Sequence, residues 1–286
     1  MLKILVTGSN GQLGNQLKEI AGLHNNCNFL FTDLPELDIT SEEMVEKVLL
    51  EFQPDWIINC AAYTAVDKAE TDQTAAQKLN AEAPALLAKL SAVHNARMIH
   101  ISTDYVFDGK NYRPYTESDT KNPNGIYATT KALGEDLVLE ANPKAIIIRT
   151  SWLYSVYGHN FMKTVLRLAA EKGNMRIVCD QVGTPTWAGD LATAVMTVVG
   201  QNIEAGIYHF SNEGVCSWYD FAKAIIELQH ISCTVVPINT MEYPLPAPRP
   251  YYSVLDKSLF KATTGILIPH WRDSLKQCLN QLNEQG

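Results

Sequence analysis

Two side chains near the middle of the chain stand at a spacing that can move a proton. Tyr127 and Lys131 bracket Ala128-Thr129-Thr130, and the stretch following Pro123-Asn124-Gly125 reads as a helix. Residues i and i+4 share one helical face, so phenol and ammonium point the same way. A cation beside a phenol stabilises the phenolate and lowers its pKa from about 10, allowing proton exchange with a carbonyl oxygen near neutrality. The expected chemistry is general-acid catalysis of ketone reduction. Thr103, within Ser102-Thr103-Asp104-Tyr105, ends an apolar run and offers a hydroxyl to the same carbonyl oxygen while charge develops there. Ordinary exposed helix faces also carry this Tyr-Lys spacing. Its place one helix after the run that ends in Thr103 is what favours chemistry.

A second constellation lies at the amino end. Gly8, Gly11 and Gly14 punctuate Val6-Thr7-Gly8-Ser9-Asn10-Gly11-Gln12-Leu13-Gly14, between a β-branched run and a helical pattern. Glycines there permit positive φ and let backbone amides approach a pyrophosphate at a helix amino end, where the macrodipole favours negative charge. The cofactor site is therefore expected at Gly8, Asn10, Gly11, Gln12, Leu13 and Gly14, with Asp33 and Asp38. Asp33 falls about 20 residues beyond the turn, where an acid can bond the adenosine ribose hydroxyls. It favours NADH, because it repels a 2′-phosphate and no arginine stands beside it. Lys3 or a distant arginine is left as a phosphate partner, so NADPH or NADH is expected. The alternative for Asp33 is a solvated loop acid beside Pro35.

The elements that must hold these residues follow from periodicity. Lys3 to Thr7, Phe29 to Thr32, Trp56 to Cys60, Met98 to Ser102, Ala145 to Thr150 and Met175 to Cys179 are nearly continuous apolar runs, as strands covered on both faces would be. Between them lie amphipathic segments: a capping box at Thr40-Ser41-Glu42-Glu43 opens one that runs to Phe52, and Thr74 to His94 reads as one long helix. This alternation predicts an α/β fold with a doubly wound, Rossmann-like parallel sheet. Residues 1–150 are expected to form the dinucleotide-binding part. Residues 151–286 complete the sheet and form a small carboxyl-terminal substrate lobe, with strands at Ile207 to Phe210 and Thr234 to Pro237, helices at Ser217 to Leu228 and Trp271 to Asn283, and an irregular proline-rich loop, Met241 to Pro250, wrapping a site.

Composition bounds the partners. The 286 residues carry 23 Lys and Arg against 31 Asp and Glu, a formal charge of -8 that argues against nucleic acid but not against a local anion site. No apolar run approaches the roughly 20 residues that cross a bilayer, and Met1 to Val6 show no leader or signal segment, so a cytoplasmic chain that begins at Met1 is expected. The six cysteines form no Cys-x-x-Cys pair, and the histidines show no metal spacing. His100 is expected to be a hydrogen-bonded core residue.

The order glycine turn, acid, threonine, tyrosine, lysine resembles the short-chain dehydrogenase/reductase superfamily from Lys3 to about Thr150. That resemblance implies that Tyr127 is the acid, that Lys131 also bonds the nicotinamide ribose, and that Thr103 polarises the carbonyl. Further stretches, Asn59 to Glu70, Ser102 to Gly109, Arg149 to Tyr154, Asp180 to Thr186 and Arg249-Pro250, are similar to the dTDP-4-dehydrorhamnose reductase family of nucleotide-sugar enzymes. This second likeness implies reduction of the 4-keto group of dTDP-4-dehydro-L-rhamnose to dTDP-L-rhamnose. It implies that Ala61, Ala62 and Tyr63 border the cofactor, that Thr64, Val66 and Asp104 meet the substrate, that Tyr105 and Trp152 wall the sugar, and that Asn160 and Arg249 serve its diphosphate and base. Core packing is the alternative for Trp152, and a surface salt bridge for Arg249.

Some members of that family pair subunits through magnesium held partly by a glutamate at the position of Gln16; a neutral amide is a poor ligand for a hard dication, so no metal is expected, while a homodimer stays open. Related dehydratases carry Thr-Asp-Glu where this chain has Thr103-Asp104-Tyr105, which speaks against elimination. Another nucleotide-sugar ketoreductase or epimerase, or a reductase-like regulatory subunit without activity, remain as alternatives.

Overall fold

A computed structural model describes residues 1–285. In chain order its first part comprises β1 (Leu2–Thr7), α1 (Gln12–Ala21), β2 (Cys27–Thr32), α2 (Glu42–Phe52), β3 (Trp56–Asn59), the short α3 (Val66–Ala69) and α4 (Gln73–Gln77), α5 (Ala83–Val93), β4 (Arg97–Thr103), α6 (Ile126–Ala141) and β5 (Ile146–Thr150). The second part comprises β6 (Leu153–Tyr154), α7 (Phe161–Lys172), β7 (Asn174–Val178), β8 (Val182–Gly183), β9 (Thr186–Trp187), α8 (Ala188–Gln201), β10 (Gly206–His209), β11 (Cys216–Ser217), α9 (Trp218–Leu228), β12 (Thr234–Ile238), α10 (Ser258–Thr264) and α11 (Trp271–Gln285).

Six parallel strands form the central sheet in the order β10-β5-β4-β3-β1-β2. Its strands are mainly apolar because both faces are covered. Ile146, Ile147 and Ile148 of β5 are all fully buried, alternating between a layer containing Leu17 and Val195 of α1 and α8 and a layer containing Leu49, Leu87 and Val138 of α2, α5 and α6. The chain leaves β1 for β2 on one side and then crosses to β3 on the other. This reversal opens a crevice at the carboxyl ends of β1 and β3, where sheets of this kind bind ligands. Only one strand lies outside β1. Residues 33–41, which follow β2, run as turns and send Leu37 and Ile39 into the core.

Three local readings are corrected. At α2 the cap is Ser41 alone, whose side chain accepts from the Met44 N–H; the residue three beyond it is a methionine, so no reciprocal box forms. The expected single helix from Thr74 to His94 contains a π-helical turn, Lys78–Glu82, between α4 and α5. Met175 to Cys179 does not join the central sheet; β7 pairs with β12 in a separate two-stranded sheet of the carboxyl-terminal lobe, whose own core gathers Tyr154, Met162, Phe221, Ile225 and Leu275. The proline-rich segment begins with a 3-10 turn, Thr240–Glu242, and then packs outside the crevice wall: Pro250 lies against Gly109, and Pro248 against Gly125.

The π turn has a packing cause that predicts a mutational effect. It presses the Asn80 carbonyl against α6 at Gly134, where a Cβ would fall 2.0 Å from that backbone oxygen. Gly134→Ala should therefore destabilise the protein by about 1–3 kcal/mol, because the obstacle is backbone and cannot rotate away. Gly200→Ala, in the last turn of α8 with open space around its Cβ, should be neutral or stabilising. Thermal melts of the two variants check this, and a Gly134→Ala melt equal to wild type would refute the packing argument.

Candidate active site

Strand β1 delivers the glycine turn into the crevice. Gly8 has φ +65°, and a Cβ there would stand 2.5 Å from the Ala61 nitrogen, so only glycine lets the turn nest against the segment after β3. Gly14 lets α1 pack on the turn itself, since a Cβ there would stand 2.5 Å from the Gly8 carbonyl oxygen. Helix α1 starts with no side-chain cap and no acid in its first turn. Its leading N–H groups are left for an anion from outside, as a dinucleotide pyrophosphate would require.

The crevice has a volume of about 740 Å³, and its walls include Gly8, Gly11, Gln12, Leu13, Asp33 and Asp38 on the glycine-turn side. Asp33 Oδ2 accepts from the Asn10 N–H at 2.9 Å, so this acid both faces the crevice and staples the turn to β2. Asp38 is held below the ordinary carboxylate range by hydrogen bonds from Thr40. Lys3 cannot serve a phosphate here: it starts at the opposite end of the strand, with its ammonium over the Phe52 ring. A cation that the sequence reading passed over does stand by the turn. Lys18, two turns along α1, donates to Asn10 Oδ1 at 2.9 Å.

At the other end, Thr103, Tyr127 and Lys131 line the same crevice, with Ala61, Ala62, Thr64, Val66, Asp104, Tyr105 and Trp152. The Tyr105 and Tyr127 rings meet edge to face with centroids 5.5 Å apart. The Thr103 hydroxyl accepts from the Tyr105 N–H and donates to Asp104 Oδ1 at 3.0 Å. Burial pushes the Tyr127 phenol up to about 12, the Thr103 hydroxyl drawing it back and the Asp104 charge adding to the rise. The sequence reading expected a lysine-lowered phenol. In the structure burial dominates, and Lys131 Nζ instead donates to the Ile101 carbonyl at 2.8 Å. Burial brings Lys131 down to about 8, with Glu135 opposing. Asp104 is pushed up to about 7 by burial, against nearby Ser253 and Thr103; its Oδ2 has no hydrogen-bond partner, since Ser253 is close without meeting bonding geometry.

Other expected residues sit outside the crevice wall. Tyr63 is clamped by Asn80, which accepts from its N–H at 2.8 Å and donates to its carbonyl. Asn160 caps α7: its Oδ1 accepts from the Lys163 N–H, while its Nδ2 donates to Gln12 Oε1 and the Ser155 carbonyl. Both ends of that amide are used, and they tie the lobe to the glycine turn. Arg249 donates to Asp67 Oδ2 at 2.8 Å, a pair near enough to act on the Tyr105 phenol. Gln16 is buried and donates to Gln281 of α11. Among the described residues no group of three or more His, Cys, Asp or Glu side chains could hold a metal ion.

Trp152 has a non-glycine φ of +46°, a strained backbone that its surroundings must enforce. Its indole stacks on Trp218 at 3.5 Å, and a Cβ on Gly183 would intrude 2.6 Å from it. Trp218 also faces the crevice and escaped the sequence reading. A tryptophan opening a Ser217-capped helix, about 65 residues further on, gives no local sign of reaching Trp152.

Known proteins resemble this chain over nearly its whole length. The family described as "RmlD substrate binding domain" matches residues 2–284. A dTDP-4-dehydrorhamnose reductase of Aggregatibacter actinomycetemcomitans is 41% identical, covering 96% of this chain and 98% of that protein. A probable dTDP-4,6-dihydroxy-2-methyloxan-3-one 4-ketoreductase of Streptomyces antibioticus is 40% identical over 96% of this chain and 94% of its own length. The crystal structure of the Bacillus anthracis dTDP-4-dehydrorhamnose reductase in complex with NADP is 38% identical with a TM-score of 0.94, covering 98% of this chain and 100% of that one. The chain belongs to this RmlD family of nicotinamide-dependent reductases.

The turn's two charges predict opposite shifts in cofactor choice. Asp33→Ala should raise the efficiency with NADPH relative to NADH by removing repulsion of the 2′-phosphate, and Lys18→Ala should lower it. Both changes should weaken in high salt, since neither group is buried. Steady-state kinetics with each cofactor measure the ratio; a ratio unmoved by either variant would show both to be bystanders.

Proposed function

We propose that this chain reduces the 4-keto group of dTDP-4-dehydro-L-rhamnose to dTDP-L-rhamnose in the cytoplasm, using NADPH or NADH. The observation that carries the reading is the arrival of Thr103, Tyr127 and Lys131 in the crevice that also holds the glycine turn. The nicotinamide, when bound, supplies the hydride. Tyr127 supplies the proton: its raised pKa keeps the phenol protonated at neutral pH, as an acid that gives its proton to a developing alkoxide must be. Thr103 orients the carbonyl oxygen beside that phenol, and Lys131 bonds the cofactor ribose. We assign cofactor binding to residues 1–150 and the sugar side to residues 151–286, with Trp152 and Trp218 offering an indole surface to the apolar edge of a deoxysugar.

A second reading, a ketoreductase for a different dTDP-linked sugar, is favoured by the Streptomyces antibioticus relative at nearly the same identity. Nicotinamide oxidation followed with dTDP-4-dehydro-6-deoxysugars, beside UDP- and GDP-linked ketosugars, separates the two. Turnover with none of them would point to the reductase-like regulatory role.

In that assay Tyr127→Phe should lose about 10²- to 10⁴-fold in turnover while binding cofactor normally, because only the acidic hydroxyl is removed. Activity within twofold of wild type would sink its role. Tyr105→Ala and Trp152→Ala should impair turnover and apparent sugar affinity together, since about 1 Å of misplacement can cost near 10²-fold. Titration with cofactor and a melting curve accompany each variant; a Trp152→Ala chain that merely unfolds would return that residue to the core.

A further inference from the structure

Beneath the proposed catalytic pair runs a buried polar chain that the reaction above does not use. The Thr7 hydroxyl, at the end of β1, donates to Asn59 Oδ1 of β3 at 2.7 Å, and the Ala61 N–H donates to the same oxygen at 3.1 Å. A backbone N–H can only donate, so the Asn59 amide has one admissible orientation. Its Nδ2 consequently faces His100 Nδ1 of β4 at 3.0 Å, and that ring nitrogen accepts. The other nitrogen, Nε2, lies 3.3 Å from Lys131 Nζ. Asn59 and His100 have no solvent exposure, and burial with the neighbouring lysine charge holds the imidazole well below its ordinary pKa. The ring is neutral, and with Nδ1 occupied as an acceptor its single proton sits on Nε2, aimed at Lys131.

An ammonium offers three donors and no lone pair. Set against Nε2–H it places two donors head to head. An unprotonated amine in the same place accepts from Nε2–H while one of its own hydrogens stays on the Ile101 carbonyl. We infer that His100 is a positioning residue, locked by Asn59 as the Nε2–H tautomer, and that its N–H opposes protonation of Lys131 so that this lysine gives up its proton within the enzyme's working pH range. The inference rests on the role proposed above for Lys131 and deepens it by naming what sets its charge.

Other groups bear on this amine from each packed element. On α6 itself Glu135, one turn on, favours the ammonium, and Tyr127 stands one turn before; at the end of β4, Thr103 and Asp104 act on Tyr127. From β1 and β3, Thr7 and Asn59 are neutral and reach Lys131 only through the ring. Among the described residues Glu135 raises the amine and burial lowers it; the inferred His100 N–H adds to the side of burial.

The test uses the full chain without substrate. Long-range nitrogen–proton NMR on imidazole-labelled protein reads the His100 tautomer, and the Lys131 side-chain carbon shift, identified by its loss in Lys131→Met, reads the amine titration. The expected result is a neutral Nε2–H ring through neutral pH and a Lys131 midpoint well below the roughly 10.4 of a free lysine. In His100→Gln the amide can turn its oxygen toward the ammonium, so the midpoint should rise by about one pH unit or more, and the alkaline limb of kcat with it. An Nδ1–H or charged ring at neutral pH overturns the proposal, as does an unchanged midpoint in His100→Gln. If that variant does not fold, the tautomer of the unaltered chain decides. A chain that shifts its titration but reduces no sugar ketone would support this inference and remove the proposed function.

Discussion

A lysine amine buried to 2% exposure against an interior strand of the sheet is the constraint around which this structure is arranged. An ionisable group taken out of water costs several kcal/mol unless its surroundings answer it, and it otherwise settles by releasing its proton. Here the answer is divided. The Ile101 carbonyl accepts from Nζ, Glu135 favours its charge, and the desolvating walls oppose it. The lysine is left near its switching point, where a small change in the crevice decides its state.

The same side of the sheet carries a fully buried ion pair that holds the scaffold around that lysine. Glu135 accepts from Arg149 Nε at 2.8 Å and from Nη2 at 2.7 Å, and from the Ser102 hydroxyl at 2.6 Å. The guanidinium also lies over the Phe107 ring. Such a pair gains little net stability over apolar packing, yet breaking it leaves a charge stranded. Its geometry ties α6 to both β4 and β5 immediately beside Thr103, so Tyr127 and Thr103 are positioned by one rigid cluster. The π turn contributes from the outer side: Asn80 bonds Tyr63 and donates to Thr130 Oγ1, joining the segment after β3 to the helix that carries Tyr127.

The carboxyl-terminal lobe meets this frame through tightly fitted contacts. Gln12 donates to the Leu153 carbonyl and accepts from Asn160, so the glycine turn and the lobe share a hydrogen-bonded seam. Across it, the Trp152–Trp218 stack rests on the bare face of Gly183. The strained backbone at Trp152 persists because that stack leaves the indole nowhere else to go.

The sequence by itself determined whatever depends on local periodicity and short spacing. Apolar runs covered on both faces declared the strands, and the glycine turn declared its helix entry. The Tyr-Lys interval placed two functional groups on one face, since helical geometry alone sets that relation. Tertiary structure decided what those groups meet. No spacing joins Trp218 to Trp152, Glu135 to Arg149, or His100 to Asn59, because strand order and helix packing bring them together over long separations in the chain. The same holds for charge. The phenol was read from its sequence neighbours as lowered, but the folded walls raise it, because desolvation depends on everything that surrounds a group and not on the residue four positions away. Asn160 and Arg249 show the converse: the family likeness offered them to the diphosphate and base, and only the fold revealed the helix cap and the Asp67 pair they also form.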